Sequence, residues 1–292
     1  MIGRAVSHGA ITIVNAIATG DGAAMGINLQ TEAVVELTRG SKEVDVSIKG
    51  SPKEDGALAR AALQTVLERY NLRGYGAKIV TSSNIPVARG LKSSSAAANA
   101  IILAVLSALG KKAPDQDIVN MSVDAALKAG VTITGAFDDV CACYYGGFHV
   151  TKNYAKKSLR RDKAEDDLIV LLHIPSRKIY SGSIDKSKLS SLGPRVRESH
   201  RIALRGEYWK AMTMNGFTYS HAFGLNPKIA TEAIISGAIS AGLSGKGPAV
   251  AAICTGDREA DVKKALGRFG GKVIKTHPNN TVAKVLSVTG QG

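Results

Sequence analysis

Aromatic residues are scarce in this sequence: they make up 5% of its 292 positions, with a single Trp. With so few, and with no basic stretch interleaved with them, a stacking platform for single-stranded nucleic acid is excluded. Cysteine is nearly absent as well. Cys141, Cys143 and Cys254 form no regular framework, which excludes a disulfide-stapled scaffold and points to reduced thiols. The 6 His and 3 Cys show no metal-site spacing, so a zinc centre is not expected. No apolar run is long enough to span a bilayer. The longest, Ala96–Leu109, stops at Gly110-Lys111-Lys112. The opening residues, Met1 to His8, lack the apolar stretch of a signal peptide. A cytoplasmic protein without a membrane partner is expected. Fixed-period repeats and low-complexity tracts are missing too.

What is present is a hydrophobic content of 45% and 31 glycines, enough for a sizeable core with many tight turns. The length is comfortable for two domains. A formal charge of +14 admits nucleic acid, an anionic surface or an anionic small substrate as partner. The cations are scattered, apart from clusters at Lys152–Lys163 and Arg195–Arg205, and no nucleic-acid motif accompanies them. The first cluster also holds Asp162, Glu165, Asp166 and Asp167, which reads as a solvated linker and places a domain boundary between 155 and 156. Before it, strands are expected at Ile11–Ala18, Ala33–Thr38, Val44–Ile48, Gly76–Thr81 and Tyr144–Val150. Helices are expected at Gly56–Tyr70, Ala96–Leu109 and from Asp115 to Lys128. Beyond it, strands at Leu168–Ile174, Ala249–Cys254 and Lys272–Thr276 alternate with helices. That pattern predicts one sheet with helices on one face.

Three segments carry chemistry. In Pro86-Val87-Ala88-Arg89-Gly90-Leu91-Lys92-Ser93-Ser94-Ser95-Ala96 a strand ends, a glycine turns the chain and serines open an apolar helix. A helix start offers unpaired N–H groups and positive dipole, the makings of an anion site. An ordinary N-cap explains one serine, not three. The turn Gly242-Leu243-Ser244-Gly245-Lys246-Gly247-Pro248 fails as a Walker A loop, because Ser240 stands where the first glycine belongs. It is either a second phosphate-facing turn or a plain hairpin. In Thr132-Ile133-Thr134-Gly135-Ala136-Phe137-Asp138-Asp139, adjacent carboxylates stand in apolar surroundings. They form a helix N-cap pair or supply a base for a hydroxyl. Gly20-Asp21-Gly22 misses the dinucleotide fingerprint and is a turn near the substrate or an ordinary loop.

Together, in this order, the three segments resemble the GHMP kinase superfamily, whose loop reads Pro-x-x-x-Gly-Leu-x-Ser-Ser-Ala. Lys92 in place of the usual glycine, the run Thr132–Asp139 and Ile13-Val14-Asn15-Ala16-Ile17-Ala18 look most like its archaeal-type shikimate kinases. The resemblance implies an α+β two-domain fold: residues 1–155 like ribosomal protein S5 domain 2, and residues 156–292 ferredoxin-like. It implies a kinase that phosphorylates the 3-hydroxyl of shikimate from ATP, as a monomer or homodimer. Homoserine kinase is the enzyme alternative. The carried-over sites are Pro86–Ala96 with Gly245 and Gly247 for ATP, and Asp138 as base or orienter. Asn15, Thr134 and Gly135 fall to the acceptor, and Ser94 and Asp124 to Mg2+.

Overall fold

The computed structural model of the chain describes residues 1–51, 54–176 and 189–287. Its frame is a long antiparallel hairpin, β1 (Ile2–Val14) and β2 (Asp21–Arg39). The expected strand Ile11–Ala18 ends early, because the Asn15 side chain accepts the Ile17 N–H and turns Ala16–Ala18 into a 3-10 helix. The far half of β2 pairs with β4 (Tyr75–Ser83), which runs parallel to β3 (Val44–Ile48). Its near half pairs with β5 (Phe148–Lys152). The C-terminal strand β11 (Lys284–Leu286) returns to β1 and completes that edge.

The charged stretch after Lys152 is not a solvated linker. It forms β6 (Lys157–Asp162), antiparallel to β5 in the same seven-stranded sheet. Its two arginines have partners within the fold: Arg160 bonds Asp162 and Tyr208, and Arg161 lies 4.2 Å over the Tyr145 ring. The 155/156 division falls in the turn of this β5–β6 hairpin.

Four helices cover the sheet: α1 (Ala57–Arg69), α2 (Ser93–Ala108), α3 (Asp115–Lys128) and α4 (Phe137–Tyr145). α2 is apolar nearly all round and lies in the middle of this layer, with Ala96, Ala98, Ala100, Ala104 and Ala108 buried. Small residues let it approach closely. A methyl at Gly3 of β1 would stand 2.0 Å from the Ala104 carbonyl oxygen. The expected strand at Tyr144–Val150 is divided: α4 runs to Tyr145, and Gly146 and Gly147, at φ 70° and 68°, turn the chain into β5.

The second sheet is antiparallel, ordered β10 (Lys272–Thr276), β7 (Ile169–Ile174), β9 (Val250–Cys254) and β8 (Ser240–Leu243). Helices cover both of its faces, not one. Ile169 and Leu171 pack with α7 (Lys228–Ile235) and α8 (Glu259–Gly267). Val170 and Leu172 point the other way, into a core shared with α5 (Gly193–Leu204), α6 (Tyr208–Ala222) and the first hairpin. A two-residue side-chain period puts alternate positions on opposite faces, so an all-apolar strand requires cover on both. That core fuses the two sheets, and the candidate site opens at their junction. Among the described residues no helix is long and apolar enough to cross a membrane.

Candidate active site

The loop from β4 to α2 buries two apolar side chains, Ile85 and Leu91, and the Ile85 side chain and the Leu91 carbonyl lie against Gly9 of β1. Between them Ala88 and Gly90 take left-handed conformations, and Lys92, at φ 64°, begins α2. Such backbone is costly outside glycine and persists where surrounding contacts over-determine it. Here the turn between β8 and β9 supplies those contacts. Ser244 Oγ donates to the Gly90 carbonyl at 2.8 Å, and the Ala249 N–H reaches the Arg89 carbonyl at 3.2 Å. A methyl on Gly90 would sit 2.0 Å from the Ser244 carbonyl oxygen, so only glycine fits. Thr12 Oγ1 accepts the Gly245 N–H, and the Asn15 amide donates to the Gly245 carbonyl. The Gly242–Pro248 segment is thus both a hairpin turn and a buttress of the glycine-serine loop.

α4 starts at left-handed Ala136, which puts Asp138 and Asp139 in its first turn. Asp138 is 3% exposed. Its Oδ1 accepts from Asn153 Nδ2 at 2.7 Å, and its own N–H donates to Asn153 Oδ1 at 3.1 Å. Burial, then the charge of Asp139, push its carboxyl up to about 7, while Lys92 and the Asn153 bond pull against them. Lys92 Nζ stands 3.0 Å from Asp139 Oδ1, both side chains largely buried. The angle misses hydrogen-bond alignment, so the attraction there is Coulombic. Gly22 makes room for the Asp138 carboxylate: a methyl on it would lie 2.5 Å from Asp138 Oδ2. Gly22→Ala, in extended backbone, is therefore expected to displace that carboxylate and lower kcat about 10²-fold. The melting temperature should fall little, and wild-type turnover in the variant would refute the close approach.

Two cavities meet at the start of α2. The first, about 410 Å3, is lined by Asn15, Lys92, Thr134, Asp138, Asp139 and Lys246 among others. The second, about 760 Å3, is lined by Ile48, Val87, Ser93, Ser94, Ala97 and Ile101, with the N-terminal end of α1. Lys92 and Ser93, adjacent in sequence, face different cavities. Of the expected phosphate residues, Val87, Ser93 and Ser94 line the second space, and Lys92 and Gly245 the first. Arg89 turns away, its guanidinium donating to the Ser176 carbonyl at 2.7 Å. Gly135 turns the chain over Val123 without lining the first cleft. Asp124 lines neither space and pairs with Lys156. The arginines of α5 are not brought to the first cleft, whose cations are Lys92 and Lys246. Asn153 is not among the residues the sequence singles out, and Gly22 is read there only as part of a turn near the substrate or an ordinary loop.

Residues 57–147 match the family model described as GHMP kinases N terminal domain. The shikimate kinase of Methanosarcina acetivorans is 43% identical over 292 residues, covering 99% of this chain and 98% of its own. That of Pyrococcus furiosus is 39% identical over 274 residues, covering 94% and 98%. Among solved structures, homoserine kinase from Cytophaga hutchinsonii superposes with a TM-score of 0.77 at 19% identity, covering 98% of this chain and 97% of that one. At such identity the likeness concerns the fold alone. With full-length relatives at about 40% identity and a match to the GHMP family model, the chain belongs to the GHMP kinase family. Within that family it stands with the shikimate kinases, at full length.

Proposed function

We propose that the chain is a shikimate kinase, transferring the γ-phosphate of ATP to the 3-hydroxyl of shikimate to give shikimate 3-phosphate and ADP. The observation that carries this reading is the shared wall. One helix start separates an apolar cavity suited to a nucleoside from a charged cleft that holds a near-neutral carboxylate. The N–H groups of the first turn of α2 and its dipole face the phosphates. Val87, Ala97 and Ile101 receive the purine side of ATP.

In the cleft, Asp138 takes the proton of the acceptor hydroxyl. That oxygen bonds to the γ-phosphorus as the bond to the β–γ bridging oxygen breaks, and the electron pair leaves with ADP. Lys92 and Lys246 offset the charge that gathers on the transferred group and attract an anionic acceptor. Burial and the neighbouring Lys92 lower the Lys246 ammonium. Thr134 and Asn15 flank the acceptor. Asn15 also holds the Gly245 turn.

Mg2+ is implied by the family. It takes hard oxygen ligands and is ordinarily held by one or two protein groups together with substrate phosphates. The serine fits that arrangement: Ser94 is exposed at the start of α2 and lines the second cavity, where it offers one hard oxygen beside bound phosphates. We assign Ser94 to the metal, with Asp124 as a second ligand once it releases Lys156. When bound, the ion would neutralise charge on the β- and γ-phosphates. Three buried free thiols accord with the cytoplasm as the compartment.

A coupled ADP-release assay against shikimate, homoserine and mevalonate tests the acceptor. Turnover with shikimate, and at least about 10²-fold lower kcat/KM for the others, is expected. Turnover with homoserine alone would replace this reading.

A further inference from the structure

The geometry points to Asn153 as the positioning residue of the acceptor-activating carboxylate, a role that rests on the assignment of Asp138 above. Asn153 lies in the β5–β6 turn, 15 residues beyond Asp138, and is 1% exposed. Its amide and the Asp138 backbone N–H form a closed two-bond ring. A single bond would let the carboxylate swing about its χ angles. A ring that also engages the backbone fixes the side chain relative to the first turn of α4. The Asn153 side chain is held in turn. Thr151 Oγ1 donates to its Oδ1 at 2.7 Å, and its Nδ2 also reaches Thr134 Oγ1 at 3.3 Å. The Asn153 N–H itself is tied to the Gly20 carbonyl at 2.7 Å. Gly22 closes the opposite side of the carboxylate. The base is therefore held by three separate elements, β2, α4 and the β5–β6 turn.

This arrangement has a second consequence. An amide donor on the carboxylate favours its ionised form, the form that accepts a proton. Asp139 and Cys141 face Asp138 from α4, Lys92 from the start of α2 and Tyr219 from α6. Lys246 acts on the same cluster through Asp139 and Lys92. Burial and Asp139 raise the carboxyl. Lys92 and Asn153 offset them, and Asn153 is the neutral one of the two. A neutral donor lowers the proton affinity of Asp138 without adding a charge that would hold the anionic substrate or product.

The test is the pH dependence of kcat and kcat/KM for Asn153→Ala and Asn153→Ser with ATP and shikimate, alongside Asp138→Asn. For Asn153→Ala, kcat should fall about 10- to 100-fold while KM for ATP changes less than about twofold. Its ascending pH limb should move to higher pH than in the wild type. Asn153→Ser, which keeps a hydroxyl donor, should recover part of both. A folded variant whose limb does not move, or whose kcat stays within about twofold of wild type, overturns the inference. Should neither variant fold, Thr151→Val decides by the same limb. It removes the hydroxyl that steadies Asn153 Oδ1 and that also reaches the Gly22 carbonyl at 3.5 Å, and an unmoved limb there is likewise fatal. An inactive Asp138→Asn beside a normal Asn153→Ala removes the positioning role alone. A fully active Asp138→Asn removes the base and the positioning role together.

Discussion

Asp138→Asn is expected to lower kcat by 10² to 10⁴, roughly the range of general-base effects, and to leave the protein folded. Asn is close in shape to Asp and keeps an acceptor for the Asn153 amide, so the packing around α4 survives. What it loses is the proton acceptor. The wild-type rate should rise with pH through about 7, because burial and Asp139 push the carboxyl up to that value and only the ionised form is competent. The residual rate of the variant should lack this limb. Stability carries the opposite sign. A carboxyl raised from its unfolded value of about 4 favours the native state while protonated, so its contribution is full below about pH 4 and is lost as pH rises to about 7. Melting temperatures measured from pH 4.5 to 7.5 should therefore decline less for Asp138→Asn than for the wild type. A variant with wild-type turnover, or an identical decline, contradicts the assignment.

Lys92→Met is expected to damage both stability and rate. The ammonium and the Asp139 carboxylate are 9% and 16% exposed. Removing one partner of such a pair leaves an uncompensated charge in a poorly hydrated place, at a cost of about 3 kcal/mol. Urea unfolding at pH 7 measures it directly. The same substitution takes away the largest influence that lowers the Asp138 carboxyl, so the ascending limb should shift upward. Loss of positive charge beside the transferring group should lower kcat by about 10²-fold. Lys92→Arg keeps the charge on a bulkier head and should restore stability more fully than rate. Equal unfolding midpoints for Lys92→Met and the wild type would show that the pair contributes nothing.

The three motif segments were legible because their chemistry is local. Glycine at position 90, serines opening an apolar helix, and paired carboxylates after Gly135 declare themselves within a dozen residues. Asn153 was not legible. It sits among lysines and acids that read as a solvated linker, and its meaning depends on a strand pairing that returns β5 beside β2. Gly22 looked like part of a failed nucleotide fingerprint, while its real constraint is a carboxylate arriving from α4. Asp124, marked for metal by its position in a family pattern, pairs with Lys156 in the fold, a partner that no local pattern announces.

By itself the sequence determined where the chain turns, where α2 begins and which residues supply anion-binding groups. Those properties follow from backbone freedom, capping and dipoles acting over three or four residues. Only the tertiary structure decided that Lys92 pairs with Asp139, that Asn153 grips Asp138, and that one helix start serves two cavities. Such features depend on burial and on distances between segments far apart in the chain. Burial, with Asp139 beside it, raises the Asp138 carboxyl to about 7, because desolvation and a like charge penalise the ionised form, and Lys92 and Asn153 offset part of that.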